Sequence, residues 1–359
     1  MKKNEEYIVT CIDDTDLNSG VVKIDDMVVF VPNLLIGEKA KIKIVKVNKK
    51  YAFGIIIELL KPSINRQELT CEVAKTCGGC QLQHMSYAYQ LDYKYKHVKK
   101  LFEDIEVKPI LGMDNPWYYR NKAQFPVKIK DGKVQMGFYR QHSNDVVTCK
   151  ECKIQDHVIN EVFSFIQKKI TLKMAQDLRH VFIRHSSTDE IQVVFIGKNE
   201  KNIISLSDQL KNTFANIKSI VFNYNTRNDN VILGDTYKVL YGNDSIIEEC
   251  LGNKVKLHFK AFFQVNPKQM EVLYSQAIKA ANLSGNETCI DMYAGTGTIG
   301  MAVSKHAKSV IGVEIVKEAV DNANDNTKMN HLDHCHYVCQ DATDFAHDHK
   351  EDKIDVIFI

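Results

Sequence analysis

The segment DMYAGTGTIG (residues 291–300) constrains the fold of this chain most, because its glycines follow an apolar run and precede a helical pattern. Apolar runs and helical patterns then alternate along the chain, from ETCIDMY to KIDVIFI. This alternation is typical of a parallel sheet covered by helices. The sequence therefore predicts an α/β domain over residues 251–359, containing the first half of a doubly wound, Rossmann-like sheet.

The glycines of this segment follow the pattern G-x-G-x-x-G, at Gly295, Gly297 and Gly300. Glu314, at the end of the next predicted strand, is placed to accept hydrogen bonds from ribose hydroxyls. These residues suit either a nicotinamide dinucleotide or S-adenosylmethionine. Asp291 discriminates between them, because its carboxylate would repel a pyrophosphate but attract a cofactor that carries an amino group and a sulfonium. The pattern therefore favours S-adenosylmethionine.

The N-terminal residues 1–62 have a different pattern, that of short strands separated by turns. The strand patterns are YIVTCI, VVKI, MVVFV, KAKIKIVKV and FGIIIELL. Five short strands in so few residues predict a small β-barrel of the oligonucleotide-binding kind. Six lysines and no acid lie between Lys39 and Lys50, and four more lysines lie in KYKHVKK (residues 94–100). These lysines either contact nucleic-acid phosphates or form an ordinary solvated surface.

Residues 63–250 mix strand and helix patterns without a nucleotide motif, which predicts an α+β middle domain. The chain of 359 residues has a net charge of +2 and no run of the roughly 20 apolar residues that a membrane helix needs. Its ten cysteines include scattered ones such as Cys11 and Cys250, which suits a reducing compartment better than a disulfide scaffold. We therefore expect a cytoplasmic, monomeric protein without a membrane anchor.

Three further cysteines are clustered in CEVAKTCGGCQLQH, at Cys71, Cys77 and Cys80. Clustered thiols in a reducing compartment usually bind a metal. A zinc site would combine two C-x-x-C pairs, Cys77 with Cys80 and Cys149 with Cys152. An iron-sulfur cluster would instead use the three clustered thiols and one distant thiol. The spacing alone leaves both metals open.

Five segments, in this order along the chain, resemble the RNA uracil-5 methyltransferase family, in its iron-sulfur branch with an N-terminal TRAM domain. They are CEVAKTCGGCQLQH, WYYRNKAQF, MGFYRQHSNDVVTCKECKIQ, FFQVNP and DMYAGTGTIG. The resemblance covers essentially the whole chain. It implies S-adenosylmethionine-dependent methylation of uridine carbon 5 in structured RNA. The TRAM-like barrel and the cluster favour 23S ribosomal RNA over transfer RNA as the substrate.

The resemblance also implies roles for individual residues. Phe262 would stack on a uridine that is flipped out of the RNA, Asn266 would support the same loop, and one of Phe262 and Phe263 would serve only in core packing. S-adenosylmethionine would be bound by Gln264, Asp291, Tyr293, Gly295, Gly297, Glu314 and Asp341. A four-iron cluster (4Fe-4S) that shapes the RNA-binding surface would be held by Cys71, Cys77, Cys80 and Cys152, with Cys149 the less favoured fourth ligand.

The chemistry of this family requires a cysteine that adds to carbon 6 of uracil and a base that removes the proton from carbon 5. By the resemblance both are expected after residue 359, and the scattered thiols Cys289, Cys335 and Cys339 are not expected to act as the nucleophile. We therefore expect a C-terminally truncated, catalytically inactive chain. Its parallel sheet would be incomplete, and the apolar strand in KIDVIFI would form an uncovered edge of that sheet.

Three alternative functions are considered beside methylation of ribosomal RNA. The first is methylation of uridine in transfer RNA, and the second is non-catalytic RNA binding by an iron-sulfur protein. The third is a nicotinamide-dependent oxidoreductase with an iron-sulfur centre, against which Asp291 and the segment FFQVN argue.

Overall fold

The computed structural model describes residues 1–359. They form two compact units, one made of Met1–Pro116 with Tyr139–Asp145, the other of Trp117–Phe138 with Val146–Ile359. None of the helices combines the length and the apolar composition that crossing a membrane requires.

The N-terminal sheet of the first unit has six strands. The strands are β1 (Glu6–Thr10), β2 (Asp13–Asp14), β3 (Ser19–Ile24), β4 (Met27–Pro32), β5 (Lys39–Val47) and β6 (Tyr51–Lys61). Their order in the sheet is β1-β5-β6-β4-β3-β2. Alternate side chains of all strands except β2 meet in one apolar cluster, which includes Val22, Val29 and Ile42. The five strands that the sequence predicts are therefore present, and the short β2 is an addition.

The segment after the barrel, KPSIN (residues 61–65), has the composition of a linker, but it is fixed to the barrel by Glu38. This carboxylate is fully buried and accepts hydrogen bonds from the Arg66 side chain at 2.6 and 2.7 Å, and from the Ser63 amide at 3.0 Å. Burial raises the pKa of Glu38, but the hydrogen bonds from Arg66, Ser63 and the Leu35 amide together hold that pKa below its usual value. The segment is therefore an anchored connection.

Helix α1 (Tyr87–Leu101) follows, with Ser86 as its N-cap. The sequence indicates a helix here, from apolar spacing that ends at Val98 and Leu101, but both of those side chains are exposed. The buried side chain of α1 is Tyr93, which packs with Leu35 of the barrel unit. The helix is present, yet it is anchored by a different face from the one that the apolar spacing marks.

The middle part of the chain contributes eight strands and three helices. They are β7 (Lys122–Lys130), β8 (Lys133–Met136), β9 (Phe138–Tyr139), β10 (Val146–Val147), α2 (His157–Lys169), α3 (Leu172–Asp177), β11 (Leu178–His185), β12 (Ile191–Gly197), α4 (Ile204–Thr213), β13 (Ile217–Tyr224) and β14 (Tyr237–Gly242). Six of the strands form one mixed sheet of order β14-β13-β12-β11-β7-β8. Every residue of β12 is buried, so this strand lies at the centre of the domain core.

The run VQMGFY, which reads as one strand, is interrupted at Gly137. A Cβ at this position would lie 2.1 Å from the carbonyl oxygen of Val147. The backbone of the neighbouring segment therefore approaches too closely for a side chain, and the chain passes from β8 to β9 at this point.

The C-terminal part is the predicted alternation of strands and helices, preceded by a hairpin and a helix that the sequence patterns do not indicate. The elements are β15 (Ser245–Cys250), β16 (Asn253–His258), α5 (Pro267–Ala281), β17 (Thr288–Met292), α6 (Thr298–Ser304), β18 (Ser309–Glu314), α7 (Lys317–Met329), β19 (Cys335–Cys339), α8 (Ala342–Asp348) and β20 (Val356–Phe358). The sheet is parallel, of order β19-β18-β17-β20. The strand order reverses at β17, and in such sheets ligands bind beyond the carboxyl ends of the strands at this switch point.

The hairpin of β15 and β16 spans residue 250, the expected domain boundary. Its inward side chains, among them Ile246 and Leu257, pack in one cluster with Met301 of α6. The hairpin therefore packs in the same hydrophobic core as α6, the helix that follows the glycine loop.

Candidate functional site

The loop between β17 and α6 lies at the switch point of the parallel sheet. Three of its residues have left-handed backbone conformations: Tyr293 (φ 62°), Gly295 (φ 54°) and Gly297 (φ 80°). Glycine adopts this region freely, whereas a tyrosine there is strained by about 1 kcal/mol or more. Tyr293 is nevertheless 68% exposed, so its conformation is not explained by burial of the ring. Tyr293 is thus a strained and exposed aromatic residue at the switch point of the sheet.

Asp291, at the end of β17, is 2% exposed and lies beneath the first turn of α6. Its Oδ2 accepts a hydrogen bond from the Gly300 amide at 2.8 Å. Burial raises its pKa to about 7; the Gly300 hydrogen bond opposes that shift, while the nearby charge of Glu314 adds to it. The Asp291 carboxyl group, from which the sequence analysis favours S-adenosylmethionine over a dinucleotide, is thus hydrogen-bonded to α6 and is not exposed at the loop surface.

Glu314, at the end of β18, joins two loops. Its Oε2 accepts a hydrogen bond from the Gly295 amide at 2.9 Å, and its Oε1 accepts one from the Val316 amide at 3.0 Å. A carboxylate oxygen can accept more than one hydrogen bond, so the partly exposed Glu314 keeps acceptor capacity for a ligand hydroxyl. Gly295 and Glu314, which the sequence pairs by spacing, are therefore brought together.

Asp341 follows β19 and is the N-cap of α8. Its Oδ1 accepts hydrogen bonds from the amides of Thr343 at 2.8 Å and Asp344 at 3.3 Å. The side chain is exposed. Asp291 and Glu314 thus lie at the ends of β17 and β18, and Asp341 follows β19, so all three are at the carboxyl edge of one parallel sheet, as expected.

Tyr337 of β19 is a site residue that sequence analysis does not find. Its ring is 4% exposed, and its hydroxyl donates a hydrogen bond to the Gly297 carbonyl oxygen at 2.8 Å. A Cβ at Gly297 would lie 2.6 Å from Tyr337 Cζ, and one at Gly312 would lie 1.9 Å from its Cδ1. These glycines therefore make room for a tyrosine as well as shaping a loop. The signal in the sequence is Gly312, a glycine in mid-strand, which often marks a close approach.

The segment FFQVNP precedes α5. Phe262 is 68% exposed and Gln264 is exposed, whereas Phe263 is 3% exposed and packs with Met270 and Met301. The expectation that one of the two phenylalanines is a core residue is confirmed, and that residue is Phe263. Because Met301 belongs to α6, the segment and the glycine loop are built on one shared core.

Two further contacts fix this region. Asn266 is the N-cap of α5 and accepts a hydrogen bond from the Gln269 amide at 3.2 Å. Farther along the same helix, the hydroxyls of Tyr274 and Thr298 are hydrogen-bonded at 3.3 Å, which joins α5 to the start of α6. Asn266 therefore caps the helix that follows the loop, and its expected role in supporting the loop stays a prediction.

Arg184 of β11 holds the backbone just before the exposed phenylalanine. It is 1% exposed, and its guanidinium donates hydrogen bonds to the carbonyl oxygens of Ala261 at 2.8 Å and His258 at 3.3 Å. Burial lowers the pKa of Arg184 to about 10, and the charge of Glu248 opposes that shift. On the other side of Phe262, the Asn121 amide donates to the Val265 carbonyl at 3.0 Å. The exposed part of the loop is thus held at both ends.

Lys122 lies opposite Arg184 in the register of β7 and β11. Burial lowers the pKa of Lys122 to about 8, and the charges of Arg184 and Arg120 add to the shift. Its ammonium lies 6.0 Å from the ring centroid of Phe182, and no carboxylate of the described chain forms an ion pair with it. This lysine comes from the segment WYYRNKAQF and gives the strand end an uncompensated positive charge beside the loop that Arg184 holds.

The clustered cysteines divide between the units, with Cys71, Cys77 and Cys80 in the first and Cys149 and Cys152 in the second. The Gly79 amide lies 3.4 Å from Cys77 Sγ and donates to it. Burial raises the pKa of the Cys77 thiol. Across residues 1–359, no three or more Cys, His, Asp or Glu side chains are grouped so as to hold a metal ion. The four-iron cluster and the zinc ribbon therefore stay predictions without structural support.

Two scattered thiols of the parallel sheet, Cys289 and Cys335, are buried and unsuited to nucleophilic attack. Burial raises the pKa of Cys289 and of Cys335 to about 11. Because the thiolate is the reactive form, these two residues are inert near neutral pH. Cys339, at the end of β19, is exposed, and its Sγ lies 3.5 Å from the carbonyl oxygen of Ile315.

The sequence is similar to known protein families and to individual proteins. A family model described as tRNA (Uracil-5-)-methyltransferase matches residues 86–354, and the TRAM domain model matches residues 3–57. A protein named as an uncharacterized RNA methyltransferase from Halalkalibacterium halodurans is 41% identical over 360 residues, covering 95% of this chain and 79% of the relative. One of the same description from Clostridium tetani is 37% identical over 355 residues, covering 94% and 77%.

Among solved structures, the chain is similar to the crystal structure of Pyrococcus abyssi tRNA (uracil-54, C5)-methyltransferase in complex with S-adenosyl-L-homocysteine. The TM-score is 0.70 with 24% identity, over 92% of this chain and 78% of the other. At this identity the likeness concerns the fold, and the family follows from the model match and the sequence relatives. The chain therefore belongs to the RNA uracil-5 methyltransferase family and is an S-adenosylmethionine-dependent RNA methyltransferase with an N-terminal TRAM domain.

Proposed function

We propose that this protein methylates carbon 5 of a uridine in ribosomal RNA, of the 23S type, and that Phe262 receives the target base. The observation that carries the proposal is the exposed ring of Phe262, on a loop that shares its core with the helix after the glycine loop. A uridine must leave its stack before carbon 5 can be reached, and an aromatic face stabilises an unstacked base by about 1–3 kcal/mol.

The cofactor lies in this proposal beyond the carboxyl ends of β17, β18 and β19. S-adenosylmethionine supplies the methyl group on a positively charged sulfur. Gly295 and Gly297 let the ligand approach the backbone, Glu314 accepts hydrogen bonds from the ribose, and Asp341 contacts the adenine. Their places on consecutive strand ends support these roles.

The remaining cofactor residues act from two sides. Exposed Gln264 and Tyr293 contact the ligand directly, one from the base-binding loop and one from the glycine loop. Asp291 acts indirectly in this proposal, because its carboxyl group is buried against the Gly300 amide and positions α6. The four-iron cluster enters no step.

The cofactor part of the proposal is tested by calorimetry with S-adenosylhomocysteine and, separately, with NAD. We expect binding of the first ligand only, and weaker binding by Glu314→Gln than by Glu318→Gln, a matched control in the first turn of α7. Equal binding by both variants would contradict the ribose-binding role of Glu314.

The substrate part is tested with the 359-residue chain and with a protein that also carries the cysteine and the base expected after residue 359. Each is incubated with methyl-labelled S-adenosylmethionine and either 23S ribosomal RNA or transfer RNA. We expect the longer protein to form 5-methyluridine, identified by mass spectrometry of nucleosides, in the ribosomal RNA, and the 359-residue chain to form none. Labelling confined to transfer RNA would overturn the choice of substrate, and a methylated nucleoside other than 5-methyluridine would overturn the reaction.

A further inference from the structure

We propose that the outer surface of the N-terminal barrel carries a stacking site for an unpaired RNA base, formed by Phe30, Tyr51 and Phe53. We call these three rings the aromatic face. The inference rests on the proposed RNA substrate, and it places a second RNA contact on the first unit, separate from the loop that carries Phe262.

The three rings touch one another across two neighbouring strands. Phe30 of β4 lies directly opposite Phe53 of β6 in the parallel register, and Tyr51 lies two residues before Phe53. The ring centroids are 5.7 Å apart for Phe30 and Tyr51, 5.9 Å for Phe30 and Phe53, and 5.5 Å for Tyr51 and Phe53. These are normal distances for edge and tilted aromatic contacts, so the rings hold one another in place without a core around them.

The alternation of the strands turns these rings outward. Val29, Val31 and Ala52, the neighbours of Phe30 and Tyr51 along the chain, are fully buried in the barrel core. Successive side chains of a strand point to opposite sides, so the rings lie on the outer surface. Tyr51 is 40% exposed. Contiguous aromatic rings on the outside of a small barrel are typical of an interaction surface.

Unpaired positive charge surrounds the aromatic face. Four exposed lysines near it form no ion pair in the described chain: Lys23, Lys46, Lys49 and Lys50. Lys46 lies opposite Phe53 in the register of β5 and β6. Lys49 and Lys50 lie in the turn directly before Tyr51. Farther along β5 the charge is different, because Lys41 is paired with Glu6 at 2.8 Å. The aromatic face therefore has unpaired lysines beside it.

Aromatic rings among unpaired lysines match the chemistry of single-stranded RNA. The bases present flat π-faces that stack on the rings, and the phosphates between them are neutralised by the lysines. In a paired duplex the base faces are covered by stacking, so the rings would find no partner. The two features together favour an unpaired stretch of RNA.

The test measures binding of the full chain, without cofactor, to a fluorescently labelled unpaired uridine-rich RNA and to a fully paired duplex of equal length. We expect Tyr51→Ala and Phe53→Ala each to weaken binding of the unpaired RNA roughly tenfold and to change duplex binding little. Tyr51→Phe keeps the ring and should retain affinity. The matched control is Ile57→Ala, an exposed apolar residue of the same strand outside the aromatic face, with 46% exposure.

Thermal unfolding of each variant shows whether the barrel is still folded. The double variant Lys46→Gln, Lys49→Gln should reduce the slope of log affinity against log salt by about one to two. Unchanged affinity of folded Tyr51→Ala for unpaired RNA would overturn the proposal, as would an equal loss for the duplex.

Methyl transfer is assayed in parallel with the protein that also carries the cysteine and the base expected after residue 359, so that the two proposals fail separately. Ring-dependent RNA binding without uridine methylation would support the aromatic face and contradict the proposed function. Uridine methylation whose RNA affinity is independent of the rings would overturn the aromatic face and leave the proposed function standing.

Discussion

The hydroxyl of Tyr337 donates a hydrogen bond to the carbonyl oxygen of Gly297 at 2.8 Å, so a side chain of the third strand supports the glycine loop from below. The same ring fills the space that a side chain at Gly312 would need. Loop and ring are therefore matched in shape, and the loop geometry depends on a residue 40 positions away in the chain.

The first prediction concerns this match. Gly312→Ala places a Cβ 1.9 Å from Tyr337 Cδ1, and we expect it to lower the free energy of unfolding by about 1–3 kcal/mol and to weaken binding of S-adenosylhomocysteine. Urea unfolding and calorimetry measure the two effects. Tyr337→Leu in the Gly312→Ala background should restore part of the stability, and a strictly additive double variant would refute the steric explanation.

The second prediction concerns the pH dependence caused by Asp291. Burial raises its pKa from 3.8 to about 7, so the folded state prefers the protonated carboxyl group. The contribution of this group to the free energy of unfolding is fully present below about pH 4 and is lost as the pH rises to about 7. The free energy of unfolding falls by about 4 kcal/mol over this range. Asp291→Asn keeps an oxygen acceptor for the Gly300 amide but carries no charge. Urea unfolding at pH 5 and pH 8 should therefore show a smaller loss of stability for the variant, and parallel losses would contradict the prediction.

The third prediction separates the two adjacent phenylalanines. Phe262→Ala removes an exposed ring, and we expect it to leave the thermal midpoint unchanged while weakening RNA binding roughly tenfold. Phe263→Ala removes a core ring and should lower the free energy of unfolding by about 3–5 kcal/mol. Each variant is the control for the other. A large loss of stability in Phe262→Ala would show that this ring is structural.

The fourth prediction concerns the buried pair of Glu38 and Arg66. Arg66→Met leaves the fully buried carboxylate without its cation, and we expect a loss of about 3–5 kcal/mol in unfolding free energy. The pKa of Glu38 is held below 4.5 in the wild type, so its stabilisation is present above that pH and is lost as the pH falls through the lowered value. Arg227→Met, which removes an exposed pair with Asp229, is the control and should change stability little.

The fifth prediction concerns the clustered thiols. If the four-iron expectation holds, protein purified without oxygen contains iron and acid-labile sulfide, and Cys77→Ser abolishes both. Cys11→Ser, at a buried thiol of the barrel core, is the control and should retain them. Zinc without iron would support the ribbon instead, and the absence of both metals from fresh protein would refute both sites.

Much of the architecture follows from local patterns that need no tertiary information. The alternation from Thr288 to Phe358 gives four strands with helices between them, and the strand alternation before Lys61 gives the barrel. These elements are predictable because periodic burial acts over neighbouring residues. The pairing of the glycine loop with Glu314 is predictable for a related reason, since parallel strands place their carboxyl ends at one edge.

Tertiary contacts decided what each of these residues does. Asp291 is a buried group under α6 because the helix packs over its strand end, and Phe263 rather than Phe262 is the core residue because Met270 and Met301 meet it from two helices. Tyr337 and Gly312 depend on each other across neighbouring strands. The sequence by itself determined the sheet, the barrel and the positions of the candidate ligand-binding residues. Only the tertiary structure decided which side chains are exposed, because burial depends on contacts between residues that are distant in the chain.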